Sequence, residues 1–452
     1  MIAPARVAAY NILCKVSAGR ADLPAAIAGE RPSLADSRDR ALAAEITTGV
    51  QRQRAALDHL IKHFAKREID RLDPEIVEIL RLSLYQLLHL TRVPAPAVVD
   101  DAVDLAGRAG KRSAAGFVNA VLRSATRTRR NPPLPPRPND PQLDAHAALD
   151  YLSVTLSHPR WLVARWYERF GFDATERWLL FNNTAAPLTL RANRLLTTRD
   201  DLKRHLAAEG IDTAPARFAP DALTVESGNA GDSVWFVVQD EASQLVALLA
   251  GAAPGRWVLD ACAAPGGKAT AIAAGLLPDG RLVACDLRAR RVDLLRRTVQ
   301  ASGAANILVV RADLLAPLPF SSSFDCVIVD APCSGLGVLR RDPDIRWRRA
   351  EEELAPLAAA QLQMLQHAAT AVAPGGRLVY ATCSSEPEEN ELVVETFLRG
   401  TDEFVGVDAR RAHPLLPGDV VDARGYLQTS PHLHGLDGFF GAVLEKRPPR
   451  DL

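Results

Sequence analysis

Five short apolar runs in the second half of the chain constrain its fold more than any other feature: "RWVLDACAAPGG", "GRLVACDL", "NILVVRADLL", "FDCVIVDAPCSG" and "GGRLVYATCSS". Each is continuous rather than alternating, the pattern of parallel strands covered on both faces. Each closes on an acid, a glycine-rich turn or a cysteine. Ligands of open parallel sheets bind beyond the carboxyl ends of the strands, so the polar residues of all five loops are expected on one rim. Residues 236–452 therefore read as an α/β domain.

The front of the chain has a different rhythm. In residues 1–130 apolar residues recur at three- and four-residue spacing through "ALAAEITTGVQRQRAALDHLI" and "EIVEILRLSLYQLL", which predicts an all-helical bundle. The second stretch is apolar nearly all round. Ile76, Ile79, Leu80, Leu84, Leu87 and Leu88 make it the expected buried centre, with Pro74 just inside its start. Residues 131–142, "NPPLPPRPNDPQ", suit neither helix nor sheet interior and read as a proline-rich linker. Residues 143–235 mix helical "HPRWLVARWYERFG" and "TTRDDLKRHLAAEGI" with strand-like "PLTLRAN", a small α+β connector expected to touch RNA. The aromatics Trp161, Trp166 and Tyr167, interleaved with Arg160, Arg165 and Arg169, read first as the packed face of an amphipathic helix.

At 452 residues the chain exceeds one ordinary core, and roughly 150 residues per unit suggests about three. No apolar run approaches the ~20 residues of a membrane span, and the N-terminus lacks the apolar stretch of a secretory signal, so a cytoplasmic location is expected. In that reducing compartment the six cysteines read as thiols, and without a CxxC pair no metal is expected. Net charge is zero, but residues 1–130 hold 21 Lys and Arg against 14 Asp and Glu. A polyanion is therefore best gripped at the front.

"DACAAPGGKAT" places Asp260 at a strand end, then small residues, then Pro265-Gly266-Gly267-Lys268 at a helix start. It matches neither GxxxxGK[ST] nor GxGxxG, which argues against a phosphate-bearing cofactor. The next strand ends at Asp286, spaced to meet ribose hydroxyls, and the one after at Asp313, placed to accept from an exocyclic amine. An adenosine without phosphates fits these acids, which favours S-adenosylmethionine over NAD.

Cys333 and Cys383 both lie just past strand ends. Cytosine C5 is a poor nucleophile toward a methyl sulfonium; a thiolate adding to C6 makes C5 reactive, and a second group assists release of the product. Asp330, before Cys333, is placed to hydrogen-bond the ring at N3 during the addition. Cys14, Cys262, Cys285 and Cys326 read as small packed residues.

"DACAAPGGKAT", "DAPCSGLG" and "YATCSSEPEENE" resemble the motifs of RNA cytosine-5 methyltransferases. The front half resembles a NusB-like domain, with "GFVNAVLR" near its end. Together with "SHPRWLVARW", "QDEASQLV" and "DGFFGAVLEK", nearly the whole chain is similar to the bacterial RsmB/Sun-type 16S ribosomal RNA methyltransferases. The resemblance implies a multidomain chain: an all-α NusB-like helical bundle, a small α+β middle domain and a C-terminal α/β Rossmann-like methyltransferase sheet. It implies that Cys262, Ala263, Ala264, Pro265, Gly266, Gly267 and Lys268, with Asp286, Asp313 and Asp330, hold S-adenosylmethionine. Cys383 becomes the nucleophile and Cys333 the residue assisting release, with Asp330 serving both cofactor and base. The implied partner is 16S ribosomal RNA, met by a monomer. Ala269 departs from the family's usual Thr, which is expected to loosen the start of its helix. The alternatives are a cytosine-5 methyltransferase acting on tRNA or another rRNA, and a non-catalytic NusB-like RNA-binding or antitermination module.

Overall fold

The computed structural model describes residues 2–448. Two compact units divide the chain: Met1–Thr184 with Leu339–Arg348, and Ala185–Val338 with Arg349–Leu452.

The first unit is built on helices α1 (Pro4–Ser17), α2 (Leu23–Glu30), α3 (Ser37–Arg52), α4 (Arg54–Ala65), α5 (Pro74–His89), α6 (Ala95–Arg108) and α7 (Ala115–Thr128). As its apolar circumference predicts, α5 is the centre: every residue from Ile76 to Leu87 is buried, against α1, α3, α4, α6 and α7. Its polar members are paired inside. Arg81 donates to Asp58 at 2.7 and 2.8 Å and to Glu78 at 2.5 Å, and Gln86 accepts from Arg6 at 2.8 Å. Residues 131–142 form no helix or strand. Their carbonyls are nonetheless occupied, Pro135 by the Thr155 hydroxyl at 2.6 Å and Pro141 by the Tyr167 hydroxyl at 3.0 Å. After α8 (Ala145–Asp150) comes α9 (Arg160–Asn182), kinked at Gly171, with Trp166 fully buried and stacked on Trp178.

The segment Leu339–Arg348 belongs to this unit although it follows the Pro-Cys motif in sequence. Arg346 is its hub, 0 % exposed. Its guanidinium donates to the carbonyls of Ser157, Asn182 and Leu339 at 3.1, 3.3 and 3.2 Å and to Asn183 Oδ1 at 2.9 Å. Burial lowers its pKa to about 9. Trp347 Nε1 donates to the Gln51 carbonyl at 2.7 Å, and Asp344 accepts the Leu23 amide at 3.1 Å.

The second unit holds two sheets. Strands β1 (Thr189–Ala192), β2 (Asp212–Pro215), β3 (Ala222–Ser227) and β4 (Phe236–Val238) form an antiparallel sheet in the order β2-β3-β1-β4, joined by α10 (Arg199–Ala208), which Thr198 caps through the Asp201 amide. The larger sheet contains β5 (Trp257–Asp260), β6 (Arg281–Asp286), β7 (Ile307–Arg311), β8 (Phe324–Asp330), β9 (Val372–Thr382), β10 (Phe404–Val407), β11 (Leu427–Gln428) and β12 (Phe440–Lys446). Its order is β10-β12-β9-β8-β5-β6-β7, with β11 paired to β12. The five strands expected to be parallel are parallel; β10, β11 and β12 add an antiparallel edge. Alternate residues of β5, Val258 and Leu259, enter different cores, one roofed by α11 (Glu241–Leu248) and α12 (Gly267–Gly275), the other by the helices Leu354–Ala369 and Glu391–Arg399. Burial on both faces is why β5, β6, β8 and β9 read as unbroken apolar runs; β7, at the sheet edge, is only partly covered, with Leu308 63 % exposed.

Replacing Arg346 by alanine strips four buried acceptors of their donor and leaves a cavity. Thermal and denaturant unfolding of Arg346→Ala are expected to show a loss on the order of 3–5 kcal/mol, an uncompensated buried polar network being among the costliest single changes. Wild-type stability in this variant would show that the hub contributes nothing.

Candidate active site

The carboxyl ends of β5, β6, β8 and β9 carry Asp260, Asp286, Asp330 and Thr382. Register does the alignment: Asp260 pairs with Ala284 and Ile328, and Asp330 with Ala381, so the loops beyond them leave the sheet side by side. The loop 261–266 then turns into α12. Gly266 has φ +114° and stands where a Cβ would lie 3.0 Å from Leu295 and 3.1 Å from Thr298, so only glycine fits without displacement.

Helix α12 begins at Gly267, ahead of Ala269, which is fully buried. The loosened start expected from that alanine is not what the structure has. The Thr270 hydroxyl bonds back to the Gly266 carbonyl at 3.0 Å, and Arg191 of β1 donates to Thr270 Oγ1 at 2.8 Å and to the Gly267 carbonyl. Arg191 is itself buried, which lowers its pKa to about 10. The small antiparallel sheet thus braces the glycine loop.

Asp260 is 1 % exposed, and its oxygens have no well-formed hydrogen bond, the Cys262 amide only lying close enough to favour the charge. Burial, reinforced by Asp330, pushes its carboxyl up to about 7. Asp286, also buried, accepts from the Arg288 amide at 3.2 Å and from Arg291 Nε at 3.0 Å; Arg291 also holds the Ala264 carbonyl at 2.8 Å. Asp313, two residues beyond β7, is exposed and accepts the Leu315 amide at 2.9 Å. Lys268 Nζ donates to Asp330 Oδ2 at 2.8 Å and lies over the Phe439 ring. Burial opposes the charge of Lys268, yet Asp330 and, behind it, Cys383 hold its pKa above the ordinary value. A recess with acids on three strand ends and one with unpaired oxygens suits a cofactor carrying positive charge, as a sulfonium with an α-ammonium does.

The two loops beyond β8 and β9 meet at their cysteines. Cys333 Sγ and Cys383 Sγ are 3.0 Å apart, and the Cys383 amide donates to Cys333 Sγ at 3.3 Å. Gly337 locks the pair: its amide donates to the Cys383 carbonyl at 2.9 Å, its carbonyl accepts from the Gly438 amide at 2.8 Å, and a Cβ would lie 2.0 Å from Gly438 O. Cys383 as hydrogen-bond partner, then burial, pushes the Cys333 thiol well above its ordinary range. Burial also raises Cys14 to about 11, Cys285 and Cys326 to about 12, and Cys262 well above the usual value, as expected of packed thiols.

Behind the cysteines lies a polar framework that the sequence did not announce. Glu389, 0 % exposed, accepts from the Ser334 amide at 2.8 Å, from the Ser334 hydroxyl, from Ser384 Oγ at 2.6 Å and from Gln361 Nε2 at 2.9 Å. Gln361 also donates to the Pro332 carbonyl at 3.0 Å, and Asn390 Nδ2 to the Ser384 carbonyl at 3.0 Å. Arg349 Nε donates to the Ser334 carbonyl at 2.9 Å. Glu389 lies within "YATCSSEPEENE", quoted above for its Thr-Cys motif, and no role was expected of it there.

Residues 247–445 match the family model described as 16S rRNA methyltransferase RsmB/F, residues 3–127 the NusB family, and residues 158–230 the RsmF/B-like ferredoxin-like domain. The chain is 34% identical over 424 residues to the probable ribosomal RNA small subunit methyltransferase B of Bacillus subtilis, covering 91% of both chains. The chain belongs to the RsmB/F family of 16S rRNA methyltransferases. The corresponding protein of Pseudomonas syringae is 32% identical over 461 residues, covering 99% of this chain and 98% of its own. Among solved structures, that of PH0851 superposes with a TM-score of 0.80 at 24% identity, covering 99% of each chain. NSun6 from Pyrococcus horikoshii with SFG gives 0.56 at 19%, covering 64% of this chain and 99% of that one. These last two likenesses carry the fold alone. The family's cofactor is S-adenosylmethionine, and the acid-lined rim fits it. Among the described residues no helix is long and apolar enough to cross a membrane, and no cluster of metal-ligating side chains occurs.

Asp260 makes the pH dependence of the cofactor-free protein testable. Its folded pKa of about 7 exceeds the ordinary 3.8, so its contribution to stability is fully present below pH 4 and is lost as pH rises through 7. Asp260→Asn is expected to stabilise the protein at pH 8 by on the order of 4 kcal/mol, the gain shrinking toward zero near pH 4. Equal shifts in melting temperature at both pH values would remove Asp260 as an unpaired buried acid.

Proposed function

We propose that this protein transfers a methyl group from S-adenosylmethionine to C5 of a cytosine in 16S ribosomal RNA through a covalent Cys383–C6 adduct. The observation that carries the reading is the 3.0 Å contact of two thiols beside the Lys268–Asp330 pair. In this reading residues Cys262 to Lys268, with Asp286, Asp313 and Asp330, hold the cofactor, which supplies an electrophilic methyl on a sulfonium. Cys383 is the nucleophile. As its sulfur bonds to C6, the C5–C6 π electrons shift to C4–C5 and charge develops at N3, to which Asp330 passes a proton drawn from the Lys268 ammonium bonded to it, N3 returning that proton when the ring's double bond re-forms. The enamine formed is nucleophilic at C5 and takes the methyl group.

Release requires loss of the C5 proton and of the Cys383 sulfur. The proximity of the thiols supports an ordered exchange. While Cys383 is free, it is the first cause holding the proton on Cys333. Once bonded to C6 that sulfur is neutral, and the largest barrier to ionising Cys333 is gone. Cys333, its own proton passed to solvent, then takes the C5 proton as a thiolate, the C5–H electrons re-form the C5–C6 double bond, and the Cys383–C6 bond breaks with Cys383 leaving as thiolate.

For RNA binding we propose the first unit. A groove at the end of α4 is lined by His59, Lys62, His63, Lys66, Arg67 and Arg71 with a single acid, Glu68, and Arg127, Arg129 and Arg130 are exposed at the end of α7. The charge excess of residues 1–130 thus includes a cationic groove suited to phosphates.

Two experiments test this reading. With RNA and cofactor present, Cys383→Ala is expected to give neither methyl transfer nor adduct, whereas Cys333→Ala attacks and methylates but releases poorly, leaving a protein–RNA band on a denaturing gel. An adduct in Cys383→Ala and none in Cys333→Ala reverses the roles, and full turnover in both removes covalent catalysis. Separately, Lys66→Ala/Arg71→Ala is expected to reduce the slope of log affinity against log salt by about 1–2, one for each lost phosphate contact. An unchanged slope places the RNA elsewhere.

A further inference from the structure

Nothing in the chemistry above explains why a carboxylate is fully buried behind the two cysteine loops. Glu389 lies in the turn Pro387–Glu389 that leads into the helix Glu391–Arg399, and its side chain is satisfied by the two cysteine loops and by Gln361 of the helix Leu354–Ala369. One oxygen accepts from the Ser334 amide and Gln361 Nε2; the other accepts from the hydroxyls of Ser334 and Ser384, residues that immediately follow Cys333 and Cys383. No cation takes part, so this is a carboxylate held by four neutral donors, a high cost unless all four are made. The backbone of Glu389 is pinned as well, its carbonyl accepting the Tyr380 hydroxyl at 2.6 Å, and Tyr380 lies two residues before the end of β9.

We propose that Glu389 is a positioning residue that sets the separation of the two sulfurs by binding the residue after each cysteine with one carboxylate. A single rigid group touching both loops fixes their spacing directly, which two independent anchors would not do. The inference rests on the proposed use of Cys333 and Cys383 as a pair, but its geometric part is independent of the reaction. A positioning role also makes a chemical forecast: glutamine can replace glutamate. Its carbonyl accepts from the Ser334 amide and Gln361, and its two amide hydrogens donate to the two serine hydroxyls, whose lone pairs are available once they turn. Alanine replaces none of these bonds.

The test uses the full chain with dibromobimane, which fluoresces when it bridges two neighbouring thiols, the Cys333–Cys383 link being located by peptide mass. Glu389→Ala is expected to cross-link about tenfold more slowly than wild type and to lose about a hundredfold in kcat, with KM for RNA and cofactor affinity unchanged, as a misplacement near 1 Å implies. Glu389→Gln is expected to restore the cross-linking rate and most of kcat. Loss in Glu389→Gln equal to that in Glu389→Ala overturns positioning in favour of a role for the charge, and wild-type cross-linking in Glu389→Ala overturns it outright. Should Glu389→Ala fail to fold, Ser334→Ala/Ser384→Ala, which removes both hydroxyls and keeps the carboxylate, carries the same expectations. Glu389-dependent cross-linking in an enzyme that leaves no 5-methylcytosine in its RNA would leave the clamp standing and remove the proposed reaction.

Discussion

The parallel pairing of β8 with β9 is the constraint from which the rest of this site follows. Asp330 opposite Ala381 fixes where both strands stop, and each is followed within three residues by a cysteine. Shifting either strand by one residue would turn its apolar set between the two cores and carry its cysteine to another height. Because both faces of these strands are buried, that slip is costly, and the core that stabilises the sheet also holds the thiols in reach of each other. The distal loops add detail to this alignment: Gly337 can approach Gly438 only because it lacks a side chain.

What was legible in the sequence follows from how each part earns its burial. Strands β5, β6, β8 and β9 and helix α5 were readable because burial on all sides leaves an unbroken apolar signature, local and independent of partners, while β7 is as apolar in sequence yet only partly covered at the sheet edge. The cysteines were readable because each lies one short turn beyond such a strand. The antiparallel edge was less so: β10 is four residues and β11 two, and their identity depends on β12 lying beside β9. Least legible were charged residues buried by tertiary structure. "LRRDPDIRWR" and "EPEENE" carry no apolar periodicity, yet Arg346, Asp344 and Glu389 are almost wholly enclosed. Composition favours solvent for such stretches, and only the specific set of backbone and side-chain partners reverses that preference.

Ala269 illustrates the same distinction on a small scale. A motif reading weighs the missing hydroxyl at that position; the structure supplies one at the next residue, where Thr270 ties the first turn of α12 and receives Arg191 from another sheet. The stability of a glycine-rich turn is set by every group that reaches its carbonyls, including groups distant in sequence.

The surroundings of the two thiols are electrically unequal, and this inequality is the last step from fold to chemistry. Lys268, kept cationic by Asp330, interacts with Cys383, whereas the carboxylate of Glu389 is among the charges that raise Cys333. A cation near one sulfur and an anion near the other give the two thiols different electrostatic surroundings, since like charges penalise a buried anion and opposite charges favour it. Two chemically identical side chains therefore need no difference of their own to take different roles. The helix start that carries Lys268 and the turn that carries Glu389 impose the difference, and both are fixed by the same parallel sheet.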